Sequence, residues 1–515
     1  MSPKTGRSLS VAIILVMVVL GAFITDDYGM SWDEAMQRSD NGKPVFEYVT
    51  GQQGNYLYPA NNEKYHGAWF EFLLYGIEKI ARLTTNRSIY LMRHFVTYLM
   101  FCLGAWWFVL TCRRLFKSEW IVLTGVVMYF LSPRLFADAF YNSKDIPFFV
   151  FYVGYIFTLL RYSNRPTVGN LLLHAFITGL LIDLRISGVV VIPLTIYFIV
   201  ARSLASKPAD SRTLLKRLLI YTVMSLVCVY VFWPILWEDP LYDFPAALME
   251  MSHYHWNGIV LFDGEMVPAS NLPWYYLPRW LLMTSPVFYL FTAAAGTLMI
   301  LYRLIRKPLQ VVVNNPEILV IPALFFGPAF AVVFLNSVIY DGWRHLYFIH
   351  APLLLLSLYA ISNSAVFIRR FNYGNLAGIA VLLAGITPVG IRMLEDHPYQ
   401  MLYFNRVAAR NLNEVRFKYE MDYWGLTFRA VIEHMAEHDS RPLIVYDSAD
   451  FPGELTYEIL PDRIRNKVRN ATENEQADYY ISNYKYMTKE FKCSDEVYWL
   501  VVDGAKVCFS CRLRK

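Results

Sequence analysis

The chain has 515 residues, 56% of them hydrophobic and only 17% charged, with 35 Phe, 37 Tyr, 13 Trp and a formal net charge of +5. Soluble domains carry about 25% charged residues; here the shortfall is gathered into apolar runs near twenty residues long, the length that crosses a bilayer. This excludes a disordered chain, a fibrous repeat and a disulfide-stapled scaffold, and the lack of a basic stripe interleaved with aromatics excludes a nucleic-acid partner.

In chain order, eleven spans are predicted, at about 8–25, 89–112, 118–133, 146–162, 168–184, 187–204, 217–236, 280–302, 318–338, 346–368 and 375–392. Backbone in lipid must pair within its own segment, so the fold class is an all-α polytopic membrane protein with a small C-terminal α/β domain. The third and fourth spans are short and aromatic and are expected to tilt or re-enter. The first, with no small-residue cleavage site behind it, reads as an uncleaved anchor.

Basic residues set the orientation. With the N-terminus inside, the cytoplasmic connections hold Lys4 and Arg7; Arg113, Arg114 and Lys117; Arg161 and Arg165; Arg202, Lys207, Arg212, Lys216 and Arg217; Arg303, Arg306 and Lys307; and Arg369 and Arg370. The short outer connections hold only Arg134, Lys144, Arg185 and Arg344. Positive charge stays inside, so the C-terminus is predicted outside. The chain divides into a membrane body, 1–395, with long outer loops at 26–88 and 237–279, and an outer segment, 396–515.

The first outer loop contains a capped helix start, with Glu34 three residues after Ser31, the spacing of a reciprocal cap. His66–Leu83 reads as a helix lying in the interface, aromatic on one side, with Glu71, Glu78, Lys79 and Arg82 on the other. From about 412 charges return to ordinary density. Strands are predicted at 442–447, 477–482 and 497–502, with Asp503-Gly504 turning the last into 506–512, and a helix at 426–438. Cys508 and Cys511 form a CxxC without a second pair, which argues against a zinc ribbon; the pairing of these two and Cys493 stays open.

Charges at membrane depth are costly and mark function. On outward helix ends stand Asp26, Asp27, Asp33 and Glu34; Arg134, Asp138, Lys144 and Asp145; Asp183 and Arg185; Glu238 and Asp239; and Asp341, Arg344 and His345. Snorkelling helix ends account for part of such a set, and less well for acids crowded against Trp32, Pro147 and Trp237.

These residues carry a resemblance. Gly29-Met-Ser-Trp-Asp-Glu34, Ser132-Pro-Arg-Leu-Phe136, Asn142-Ser-Lys-Asp-Ile-Pro147, Gly179-Leu-Leu-Ile-Asp-Leu-Arg185, Trp237-Glu-Asp-Pro240 and Tyr340-Asp-Gly-Trp-Arg-His-Leu-Tyr347 stand in the order of the acidic loops of GT-C-fold glycosyltransferases. Further pieces are Leu272-Pro-Trp-Tyr-Tyr-Leu-Pro278, His397-Pro-Tyr-Gln400 and Met421-Asp-Tyr-Trp-Gly425. The chain resembles, over roughly 20–425, the class that uses polyprenyl-phosphate sugars and contains protein O-mannosyltransferases and aminoarabinose transferases.

The resemblance implies a glycosyltransferase of a bacterial inner (plasma) membrane, taking a sugar from a polyprenyl-phosphate donor to a hydroxyl of a lipid, glycan or protein. Asp33 is then the base, Glu34 its helper or structural partner, and Asp145 the second loop's acid. The leaving phosphate needs fixed positive charge: Arg185 and Arg344 first, Arg134 and Lys144 next, with His345 and Glu238 lining the substrate. No cofactor is required; a divalent metal is optional, and His253 with His255 is too thin a ligand set to place one. A lipid-sugar transporter and a non-catalytic envelope scaffold are the other classes open, although the near-uncharged middles of the spans disfavour the transporter.

Overall fold

Apolar runs form helices at all eleven expected positions. The structure, a computed structural model, describes residues 1–52, 65–205, 211–252, 256–308, 310–315, 317–368, 370–447, 453–472 and 475–513. The helices of the first half are α1 (Pro3–Ile24), α2 (Trp32–Met36), α3 (Lys43–Val49), α4 (Trp69–Ile80), α5 (Asn86–Leu115), α6 (Glu119–Phe130), α7 (Pro133–Tyr141), α8 (Asp145–Asn164) and α9 (Val168–Leu184). There follow α10 (Ile192–Ala205), α11 (Ser211–Phe232), α12 (Pro240–Ser252), α13 (Tyr276–Thr284), α14 (Val287–Arg306), α15 (Glu317–Phe334), α16 (His350–Ile368) and α17 (Gly374–Glu395).

Nine of the eleven expected spans are long, continuous apolar helices, and the other two positions are α6 with α7 and α9. Among the described residues nine helices are long and apolar enough to cross a membrane, and α6 with α7 makes a tenth only if the bent pair counts as one. The bend is 60° and has a local cause: Pro133 has no N–H to give, and Ser132 before it is extended. The remaining position, α9, has 17 residues. That is the lower end of the roughly 17–25 residues that cross a bilayer, and α9 carries the chain from the far end of α8 back to Asp145, where Arg185 pairs.

Burial grades the bundle. α8 is buried on nearly every face, whereas α1 and α17 expose most of their apolar side chains. The core is aromatic: Phe140 stacks between Tyr28 and Tyr98, at ring distances of 4.2 and 4.5 Å, so α7, α5 and the start of the first outer loop share one packing column.

The expected interface helix exists as α4, with Lys79 and Arg82 exposed as expected but the two glutamates of the polar side turned inward. Glu71 and Glu78 are buried, while Leu73 and Ile80 are exposed. The reason is pairing: Glu71 meets Arg93 and Glu78 meets Arg38, and buried charges persist only when paired. The second outer loop holds α12 and a hairpin, β1 (Ile259–Phe262) with β2 (Glu265–Pro268), closed by Asp263 and Gly264 at φ 56° and 89°. Neither was expected, although Asp263-Gly264 is the same hairpin signal as Asp503-Gly504.

The tail contributes α18 (Phe428–His438), β3 (Leu443–Asp447), α19 (Gly453–Tyr457), α20 (Asp462–Arg465), β4 (Val468–Asn470), β5 (Tyr479–Ser482), β6 (Glu496–Val502) and β7 (Ala505–Arg512). The strands lie in the order β4-β3-β5-β7-β6. β3 is parallel to β4 and β5, while β7 is antiparallel to β5 and β6. Cys493 is bonded to Cys511, and Cys508 stays free and buried. The β6–β7 turn docks on the membrane body through Asp503, which pairs with Arg392 of α17 and Arg406. Tyr419, Tyr423 and Trp424 belong to the same continuous core as α5, α7 and α8, which brings the tail's first residues to the helix ends next to Asp145 and Arg344.

Candidate active site

Asp33 is delivered by α2. The Ser31 N–H donates to Glu34 Oε2 at 2.8 Å, closing the reciprocal cap that the spacing announced, and Glu34 Oε1 stands 2.8 Å from His94 Nε2. Glu34 Oε2 is thus held by the cap while Oε1 faces the His94 ring, and its side chain is 3% exposed, against 25% for Asp33. The turn before α2 is seated on the tail: a Cβ at Gly29 would lie 2.5 Å from the Leu426 carbonyl oxygen, closer than such contacts allow.

Asp145 opens α8, where the helix dipole favours negative charge. Asn142 fixes the turn before it, accepting the Asp145 N–H at 2.8 Å and donating to Asp145 Oδ2 at 3.0 Å. Lys144 is half-buried in that turn. Arg185 follows α9 in extended backbone and pairs with Asp145 Oδ1.

Arg344 joins these pieces. Its Nη1 lies 3.3 Å from Asp33 Oδ2 and 3.3 Å from Asp145 Oδ2, and its Nη2 lies 2.9 Å from Asp341 Oδ2. The rings of Tyr340 and Trp424 flank the guanidinium, with centroids at 5.2 and 4.8 Å. The turn that aims it has two successive left-handed residues, Asp341 and Gly342, at φ 55° and 71°, and the Gly342 N–H donates to the Tyr276 hydroxyl at 3.1 Å. His345 sits edge-on to Tyr340 at 4.6 Å.

Two expected residues stand apart. Arg134 is buried elsewhere: its Nε donates to the Tyr403 carbonyl at 3.2 Å, and its guanidinium lies over Trp280 and Phe404 at 5.3 and 5.1 Å. It anchors the segment after α17. Glu238 is exposed beyond the turn Pro234–Trp237 and, among the described residues, takes no part in the Arg344 cluster.

Two further groups, Glu420 and Trp424, line the wall. Glu420, on the tail's first segment, is buried, and its Oε2 has no hydrogen-bond partner. Burial, with the Asp341 carboxylate adding to it, pushes Glu420 up to about 8. Burial likewise raises Asp341 against the pull of Arg344. Trp424 belongs to the Met421–Gly425 segment that the resemblance had quoted. For Glu420 no spacing signal exists, because its placement depends on docking of the tail.

The position between Asp33 and Asp145 is taken by a guanidinium, and among the described residues no group of three His, Cys, Asp or Glu is placed to hold a metal ion. His253 and His255 lie outside the described residues. Chemically, the cluster offers one reachable carboxylate, one carboxylate locked between two guanidiniums, and an Arg185 side chain 16% exposed beside it.

No family model matches the chain, and no curated protein matches it. Solved structures do. ArnT from Cupriavidus metallidurans bound to undecaprenyl phosphate superimposes with a TM-score of 0.50 at 14% identity, over 99% of this chain and 98% of that one. The apo state of the same protein gives 0.49. The oligosaccharyltransferase AglB from Archaeoglobus fulgidus, in complex with an inhibitory peptide and a dolichol-phosphate, gives 0.48 at 12% identity, over 90% of this chain and 61% of that one. The ArnT match runs through the membrane helices and the C-terminal sheet alike, and the fold of this chain is the GT-C fold.

Proposed function

We propose that the protein is a membrane glycosyltransferase that moves a sugar from a polyprenyl phosphate to an acceptor hydroxyl on the outer face of the membrane, in a bacterial inner membrane with the N-terminus inside. The observation that carries this is Arg344 Nη1 held between Asp33 and Asp145 at 3.3 Å from each. It holds a base, Asp33, next to Asp145 and the Arg185 guanidinium paired with it, at the outward ends of apolar helices.

The reaction is one displacement. The acceptor oxygen forms a bond to the anomeric carbon, the bond from that carbon to the phosphate oxygen breaks, and the acceptor proton goes to Asp33. Asp33 suits this because its side chain is the more exposed of the two and has one guanidinium partner, whereas Asp145 is buried and held by Arg185, Arg344 and Asn142. Arg344 is already surrounded by three carboxylates, so it serves as organiser. Arg185, with one carboxylate partner and the greater exposure, takes the departing phosphate, with Lys144 beside it. A guanidinium suits that task because its planar fork matches two phosphate oxygens.

The test is a screen of polyprenyl-phosphate sugars against the purified chain in nanodiscs. Release of free polyprenyl phosphate together with sugar on the acceptor supports the proposal. Passage of intact lipid-linked sugar across the bilayer without its consumption replaces it with a transporter, and neither event leaves the scaffold.

A further inference from the structure

Arg93 and His94 are adjacent residues of α5, inside an apolar span, and both are essentially inaccessible, at 1% and 0% exposed. Successive helix residues point about 100° apart, so the two address different neighbours. Arg93 Nη2 lies 2.6 Å from Glu71 Oε2, and the other oxygen of Glu71 accepts the Ser143 hydroxyl. Ser143 stands two residues before Asp145. His94 Nε2 lies 2.8 Å from Glu34 Oε1, and the other oxygen of Glu34 accepts the Ser31 N–H that caps the helix carrying Asp33.

Two chains of contact therefore leave one helix turn and end on the two acid-bearing loops. Stability does not account for them: a buried ion pair recovers little more than its desolvation, and a packed apolar pair often does as well. A second role is required for charge kept at this depth. None of these four side chains ion-pairs with Arg344, Asp33 or Asp145, so the role is not chemistry.

We infer that Arg93 and His94 are positioning residues that set the placement of Asp33 relative to Asp145, through Glu34 and through Glu71 with Ser143. This rests on the glycosyltransferase reading of the site. A misplacement of about 1 Å costs about 100-fold in rate while leaving the lipid-binding surface intact.

The experiment uses the full chain in nanodiscs with the donor found by the screen, and undecaprenyl phosphate as a separate binding probe. Ser143→Ala cuts the second chain of contact without disturbing the Arg93–Glu71 pair; His94→Leu cuts the first, and His94→Gln restores a donor to Glu34. The expected result is a kcat lowered at least tenfold in Ser143→Ala and about 100-fold in His94→Leu, donor KM and undecaprenyl phosphate affinity within about threefold of the parent, and recovery of most of kcat in His94→Gln. Should His94→Leu fail to fold, Ser143→Ala and His94→Gln decide. Variants that turn over like a working parent, or that lose kcat and lipid affinity together, overturn the inference alone. A parent that neither binds undecaprenyl phosphate nor transfers sugar overturns the reading beneath it, and the inference falls with it.

Discussion

Asp33 and Asp145 meet at a single nitrogen: Nη1 of Arg344 stands 3.3 Å from a carboxylate oxygen of each. The two acids come from different loops between helices, and the guanidinium comes from a third. Only one of the acids keeps a face open, and that asymmetry sorts their roles.

Asp33→Asn is expected to lower glycosyl transfer by about 100- to 10,000-fold, the range for a lost general base. A carboxylate that merely complements the first turn of α2 is worth about 0.3–1 kcal/mol, which would leave turnover nearly intact. Transfer by Asp33→Asn, matched to the parent for expression and melting temperature, separates the two. Activity within about threefold, well short of that range, moves the base to another group.

Arg185→Lys and Arg344→Lys should fail differently. At Arg185 the loss of the planar fork weakens the hold on phosphate, so donor KM rises more than kcat falls. At Arg344 the same change releases Asp33, Asp145 and Asp341 together, and kcat collapses. Full turnover with an unchanged donor KM in both variants removes these arginines from the mechanism.

Glu420 makes stability pH-dependent. Its carboxyl titrates at about 8 in the fold, against 4.5 as the ordinary value. Between these pH values the folded chain holds a proton that the unfolded chain releases, so stability falls as pH rises from about 4.5 to about 8. Glu420→Gln, which stays neutral, should therefore melt higher than the parent at pH 8 and alike at pH 5. Parallel melting curves at both pH values would show that Glu420 is not held protonated.

The bond from Cys493 to Cys511 closes a loop of sequence separation 18. Such a crosslink contributes about 2–4 kcal/mol and persists in oxidising compartments. Cys493→Ser should lower the melting temperature of the C-terminal segment. A reporter fused to the C-terminus should be active only in its non-cytoplasmic form; a cytoplasmically active fusion reverses the orientation and, with it, the outward-facing site.

The sequence by itself determined the helices, because span length and composition are local properties: every expected apolar position is helical. It determined the Ser31–Glu34 cap and the Asp503-Gly504 turn for the same reason, since each is made by residues a few positions apart. It also set out the acidic motifs in order. Only the tertiary structure decided which charges share a place. Arg134 and Arg344 look alike in sequence, each basic at an outward helix end, yet one is packed under Trp280 and Phe404 and the other gathers three carboxylates. Arg93 and His94 sit inside an apolar run, where the cost of buried charge alone could have singled them out; their partners could not be named, because Glu71 belongs to a helix whose charged side was expected to face out. Glu420 reached the site only when the tail folded onto the membrane body. Pattern along a chain reports which face of an element is apolar, whereas a charge finds its partner through the packing of elements distant in sequence.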